Sequence, residues 1–509
     1  MGGHAIPGWW TAAHLSDVSS KIADGSHNPP AKQGSGLPML SAVNINDNKI
    51  IFSDYRLIEE DAFLHEDRRT RIAPNDVLLT IVGAIGRTAV VSQTTPRFTL
   101  QRSVAVITPL LIDSKFLMYQ FESPRIALHF KKNARGTAQK GVYLKTLGDT
   151  VIWLCPLSEQ HRIVAKIEEL FSELDKGVEN LKTAQAQLKV NRQALLKHAF
   201  EGKLTAKWRE ENKDMLETGE ALLKHIQTER EQRYRQQLAD WEAAGKQGNK
   251  PKVLKALSPL PAEKLEELSE LPAGWMWAQL EYLITNMDQG WSPKCENSPC
   301  AGAEWGVIKT SAIQHGNFVE KENKALPKHL RPKEQHRLVV GDILITRAGP
   351  RVRVGVCCLV RSVRENLMNC DKVYRIRSLD ILCRPDYIEG ILNSPKVLSE
   401  VERIKSGIND SGLNLNQGAF LSIAIPYCSP PEQKVVVMEL ERKLSVLTHL
   451  DQTITASLQQ AEALRQSILK KAFSGQLVPQ DPHDEPASAL LARIKTEKSA
   501  QSHPKKVRA

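Results

Sequence analysis

The chain has 509 residues, and its 69 Lys and Arg against 58 Asp and Glu give a formal charge of +11. That length predicts about two to four domains, and 41% hydrophobic with 25% charged residues is a globular composition. No apolar run approaches the ~20 residues that span a bilayer, and the start MGGHAIPGWWTAAHLSD lacks the basic and apolar regions of a secretory signal. A cytoplasmic protein with an anionic partner is expected. The eight cysteines show no CxxC spacing, and seven lie after residue 290. They are read as reduced, mostly buried thiols rather than a zinc site.

Residues 1–157 read as an α+β domain. Short β-branched runs at Val77–Val82, Ala89–Val91 and Val104–Ile107 are punctuated by Gly, Pro and Asn-Asp, and a short helix follows at Lys115–Phe121. From 158 to 203 the pattern changes. Ile167, Leu174, Leu181, Leu188 and Leu195 recur every seven residues, with Ile163 and Leu170 on the neighbouring seam position. The run starts after Pro156 and stops before Gly202, both sensible helix boundaries. Residues 204–270 are rich in Glu, Lys and Gln and read as a charged helical spacer, loosest at Lys246–Lys250. A second α+β domain is expected at 271–430, with strands within Val339–Thr346 and Val352–Val360 and a helix at Tyr387–Leu392. A second heptad helix at 431–475 carries Leu440, Leu447, Ile454, Ala461 and Ile468, flanked by Leu444 and Leu458. Residues 476–509 read as a short helix and a basic tail ending Lys505-Lys506-Val507-Arg508.

The chain repeats itself. Pro7-Gly8-Trp9-Trp10 returns as Pro272-Ala273-Gly274-Trp275-Met276-Trp277, and Asn75-Asp76-Val77-Leu78-Leu79-Thr80 as Gly341-Asp342-Ile343-Leu344-Ile345-Thr346. Farther along, Cys155 and Glu159-Gln160 match Cys428 and Glu432-Gln433, and Ala199-Phe200-Glu201-Gly202 matches Ala472-Phe473-Ser474-Gly475. Ala221-Leu222-Leu223-Lys224-His225-Ile226 echoes Ala489-Leu490-Leu491-Ala492-Arg493-Ile494. The front parts differ more between copies than the helices do. The architecture expected is a pseudo-two-fold tandem duplication of two α+β domains joined by two long coiled-coil helices. Each apolar seam has two open partners, the other helix running antiparallel or another subunit, and the intact tandem copies favour the first.

No catalytic constellation is legible in the sequence. The sequence holds no GxxxxGK[ST] loop, no GxGxxG between strand and helix, and no HExxH or GxSxG. Asn28-Pro29-Pro30-Ala31 approaches the loop with which adenine amino-methyltransferases hold a flipped base, but Ala31 cannot stack. Ser429-Pro430-Pro431-Glu432 fails in the same way. Pro385-Asp386 reads as a turn before a helix, and His161 and His198 as helix-surface residues.

Two dissimilar front domains, each followed by a closely matched long helix, resemble the specificity subunit of type I restriction–modification enzymes (HsdS). The resemblance rests on Gly136-Thr137-Ala138-Gln139-Lys140-Gly141, Leu144-Lys145 and Cys155-Pro156-Leu157-Ser158-Glu159-Gln160-His161-Arg162-Ile163-Val164, similar to the family's passage into its first helix. Phe200-Glu201-Gly202-Lys203-Leu204-Thr205-Ala206-Lys207-Trp208-Arg209 is similar to its helix exit, while Gly407-Ile408-Asn409-Asp410-Ser411-Gly412 departs from the first motif. The resemblance implies two target-recognition domains that read a bipartite double-stranded DNA target, and helices that dock two modification (methyltransferase) subunits. It also implies recruitment of restriction (translocase/nuclease) subunits. This chain would then have neither catalysis nor cofactor of its own, with S-adenosylmethionine, ATP and Mg used by the partners.

Candidate DNA contacts are the basic residues of polar loops in the front domains. The first copy offers Arg68, Arg69, Arg87, Lys131, Lys132, Arg135 and Lys140. The second offers Lys309, Arg347, Arg351, Arg353, Arg403 and Lys405, with Arg347-Ala348-Gly349-Pro350-Arg351-Val352-Arg353 as the densest cluster. For each, the alternative is an ordinary surface charge. A purely structural coiled-coil scaffold and a stand-alone DNA enzyme are the rival classes.

Overall fold

A computed structural model describes residues 6–502 except 137–138, 248–249, 252, 254–256 and 258–259. The basic tail, the centre of the spacer and part of the Gly136–Gly141 motif lie outside the described residues.

The chain divides into two compact units that do not follow the linear order of its segments. One comprises residues 1–183 and 454–509, the other residues 184–453. The reason lies in the two heptad segments, which form helices at Leu157–Phe200 and Pro430–Ala472. Each helix gives one half to each unit. Within the first unit, Asp175 pairs with Arg465, and Arg162, near the helix start, bonds to Asp484, past the end of the second helix, at 2.6 Å. Within the second, Gln185 bonds to Asp451 at 3.1 Å and Arg192 to Thr448 at 2.8 Å. In both units the partner's number falls as the first helix advances, so the helices run antiparallel. The pairing is intramolecular.

All nine seam positions lie on the packed faces. Ile167, Leu440 and Ile468 are buried, whereas Leu174, Leu181, Leu188, Leu195, Leu447 and Ile454 are half-buried. Burial is deepest where a helix also meets an α+β domain. Val436, Val437 and Leu440 join Leu196 and Phe200 in the core of the second unit, as Ile163 and Ile167 join Ile468 and Leu469 in the first.

The two α+β domains share one topology. In the first unit a four-stranded sheet has the order Ser19–Asp24, Val104–Pro109, Val77–Thr80, Thr88–Val90. In the second the order is Ile284–Gln289, Val373–Ser378, Ile343–Thr346, Cys357–Leu359, with every pair antiparallel in both. A three-stranded sheet with one parallel pair also recurs, from Leu37–Leu40, Arg56–Ile58 and Thr99–Leu100 and from Gly306–Ile308, Asn323–Ala325 and Leu367–Met368. The expected strand at Val352–Val360 shortens to Cys357–Leu359 because 351–355 form a turn. The expected helices occur at Ser114–Glu122 and Pro385–Leu392, the second with Asp386 at its first turn bonded to Arg384.

The repeated motifs perform the same task twice. Trp10 Nε1 donates to Glu159 at 3.2 Å, and Trp275 Nε1 to Glu432 at 2.8 Å. Gln160 Nε2 donates to the Cys155 carbonyl at 2.9 Å, and Gln433 Nε2 to the Cys428 carbonyl at 2.8 Å. These bonds tie the start of each long helix to a two-stranded sheet, Thr11–His14 with Val151–Leu154 in one unit and Trp275–Gln279 with Ala424–Cys428 in the other. Gly202 and Gly475 end the helices at φ +70° and +69°, the left-handed geometry that glycine adopts without strain. A Cβ on Gly202 would stand 2.6 Å from Pro272, and one on Gly475 would stand 2.5 Å from Pro7. The echoed tail motifs bury Leu222 and Ile226 in one core and Leu490 and Ile494 in the other.

All eight cysteines are free thiols, and all but Cys295 are buried. Burial pushes the Cys370 thiol up to about 11, which keeps it protonated and unreactive at neutral pH.

Candidate nucleic-acid interface

In the first unit the α+β domain and the paired helices enclose a groove of about 1630 Å³. Arg87, Lys131 and Lys140 line it. Arg87 ends the loop between Val77–Thr80 and Thr88–Val90, which is fixed by Thr80: its Oγ accepts from the Arg87 N–H at 2.9 Å. Lys131 lies in the last turn of the helix Pro124–Asn133. Lys140 borders Gly141, whose backbone pairs with Val82 and Arg135. Ladder contacts thus bring three loops together, and their cations point into one space. Among the described residues no acidic side chain pairs with Arg87, Lys131, Lys132, Arg135 or Lys140. Lys132 and Arg135 are exposed, as is Arg68 on the helix Glu60–Thr70. Arg69 differs: it pairs with Asp24 and donates to the Asp24 carbonyl at 3.0 Å.

The groove also has cations that the loop-based reading missed. Lys49 sits on the hairpin Ile45–Asn46/Lys49–Ile50, whose turn residues Asp47 and Asn48 have φ of 49° and 58°. Lys176 and Lys182 line it from the first long helix, which also contributes Glu168, Asp175 and Glu179, so the uncompensated cations lie on the α+β side. The hairpin was legible in Asp47-Asn48, a pair suited to left-handed turns. The helical lysines carried no loop signal. The groove floor holds Glu122, whose carboxyl is raised from its usual 4.5, chiefly by burial, while Thr88 donates to it at 2.6 Å.

In the second unit the candidates are differently placed. Arg353 Nη2 donates to the Thr310 and Ile313 carbonyls at 2.5 and 2.6 Å, so its guanidinium braces a loop. Lys405 is equally internal, reaching the Arg351 carbonyl at 2.9 Å and Glu402 at 2.5 Å. Arg351 pairs with Glu402 and Asp410, Arg403 with Glu400 at 2.5 Å, and Lys309 with Glu322 at 3.6 Å. Arg347 Nε donates to the Asp371 carbonyl at 2.7 Å, and its guanidinium lies 5.7 Å from the Tyr374 ring centre. The dense Arg347–Arg353 cluster is therefore an internally bonded loop, in which Arg351 meets carboxylates, Arg353 backbone carbonyls, and Arg347 a carbonyl and a ring.

His161 and His198 are exposed on the first long helix. Among the described residues no helix is long and apolar enough to cross a membrane.

Residues 14–183 match the family model of the type I restriction modification DNA specificity domain. The chain is 32% identical over 295 residues to the type I restriction enzyme EcoEI specificity subunit of Escherichia coli, covering 58% of this chain and 46% of that protein. It is 22% identical over 522 residues to the EcoKI specificity subunit of Escherichia coli strain K12, covering 98% of both. Over these stretches the chain is similar to type I restriction enzyme specificity subunits. In the EcoEI alignment it spans about half the length of the curated relative. A chain from a solved type I R-M system shares the fold, with a TM-score of 0.61 at 18% identity over 93% of this chain and 99% of that one. The family match ends at Thr183, where the first unit's leading segment also ends.

Proposed function

We propose that the chain is the non-catalytic specificity subunit of a type I restriction–modification assembly. Each α+β domain reads one half of a bipartite duplex target. The long helices hold the two readers and dock two modification subunits, and restriction subunits join that complex. The partners use S-adenosylmethionine, ATP and Mg, and this chain uses none of them. The observation that carries the reading is the repetition of one sheet topology in two units, each built on an antiparallel pair of helix segments. Two similar readers suit a target of two separated halves. The free cations of the first groove and the +11 balance suit a polyanion.

Exchange of residues 1–155 for the equivalent part of a relative with a different target tests this. One half of the methylated motif should change and the other should stay. A change in both halves, or in neither, would refute the two-reader function.

A further inference from the structure

In the second unit two loops are joined into one tip. Ala348–Gly349 pairs with Leu413–Leu415, which pairs in turn with Lys405–Ser406. Beyond that ladder the Arg351 backbone N–H donates to the Asp410 carbonyl at 2.8 Å, and Arg351 Nε donates to the Asp410 carboxylate at 3.0 Å. Glu402 holds the same guanidinium from the other side and accepts from Lys405 as well. The charges of the tip neutralise one another, and its backbone is cross-tied.

Beside the exposed polar residues Asn409, Asp410 and Ser411, the tip presents two apolar side chains to solvent. Ile408 is 101% exposed and Val352 82% exposed, the two highest values among the large hydrophobic side chains described. Val352 follows Arg351, and Ile408 stands two positions before Asp410, so the Arg351–Asp410 bonds gather both into one place. A single exposed apolar residue is ordinary. Here the two most exposed ones lie on one cross-tied tip, with Arg347 at its base.

The major groove of duplex DNA offers such a tip a matched surface, because thymine displays its C5-methyl there and apolar side chains read it. A braced tip loses little conformational freedom on docking. We propose that Val352 and Ile408 are specificity-determining residues that contact a thymine methyl in the half-target read by the second unit. This rests on the DNA-reading function proposed above. It adds an apolar contact to a base edge on the second unit's side of the target, beside the reading of the other half by the first unit.

The test uses the full chain. Its preferred duplex is first selected from a random pool, and each thymine in both halves is then replaced singly by deoxyuridine, which removes only the methyl. Loss of one methyl contact should weaken binding about fourfold at one or two positions. In a Val352→Ser, Ile408→Ser variant those positions should become indifferent to the replacement, while the other half is read unchanged. Both residues are on the surface, so the variant should keep the melting temperature of the parent. Indifference of the parent to deoxyuridine at every thymine, or a selected target without thymine, would overturn the proposal and leave DNA reading intact. A methyl dependence that the variant retains would also overturn it. Failure to select any sequence would instead refute DNA reading itself.

Discussion

The Trp275 indole donates to the Glu432 carboxylate at 2.8 Å, 157 residues along the chain, and the carboxylate is wholly buried. Arg209 Nη1 and Thr205 Oγ1 converge on the same oxygen, each at 2.7 Å. Three separate segments, the spacer, the start of the second domain and the start of the second helix, thus meet on one charge. Removing the cation should leave that charge unpaired. Arg209→Met is expected to lower stability by about 3–5 kcal/mol, and Trp275→Phe, which deletes one donor, by about 1–3 kcal/mol. Chemical denaturation of the full chain checks the order of the two.

The equivalent carboxylate of the first unit has a different setting. Burial holds the Glu159 carboxyl above its usual 4.5, although Trp10 donates to it and Arg162 lies nearby. The folded state therefore binds this proton more tightly than the unfolded state. The group's contribution is complete below the unfolded value and declines as pH rises toward the folded one. Glu159→Gln should flatten the fall of stability as pH rises above the usual carboxyl value of 4.5, because the amide still accepts from Trp10 but does not titrate. An unchanged slope of denaturation midpoint against pH would contradict this.

Seam position decides the cost of a charge. Ile167 is fully buried against the first α+β domain, whereas Leu181 is half-buried where two helices alone face each other. Ile167→Asp is expected to cost about 4 kcal/mol or more, and Leu181→Asp about 1–2 kcal/mol. Equal losses in thermal denaturation would show that the seam is uniformly dry.

Free and bonded cations should separate in salt titrations of DNA binding. Each phosphate contact contributes a slope of about 0.9 in log K against log salt. Arg87→Gln, Lys131→Gln and Lys140→Gln should each reduce the slope by about that amount. Arg353→Gln should leave the slope unchanged and lower the melting temperature, because two carbonyls lose their donor.

The duplication, the heptad helices and the alternation of α+β and helical segments were fixed by local pattern. Repeated side chains such as Trp10 and Trp275, or Gln160 and Gln433, make the same bonds in each copy, so a repeat in sequence became a repeat in structure. Leu174, Leu181 and Leu188 show their spacing without reference to anything distant. Other features needed the tertiary structure. Which helix half meets which depends on pairs such as Asp175 with Arg465, and no periodicity contains that register. The basic loop residues look alike in sequence, yet Arg87 is free while Arg353 is bound by carbonyls some 40 residues away. A cation's role is set by what stands within about 3 Å of it, and in a folded chain those neighbours come from distant segments. The same holds for Ile408, whose loop is joined to that of Val352 by the bonds of Arg351 to Asp410.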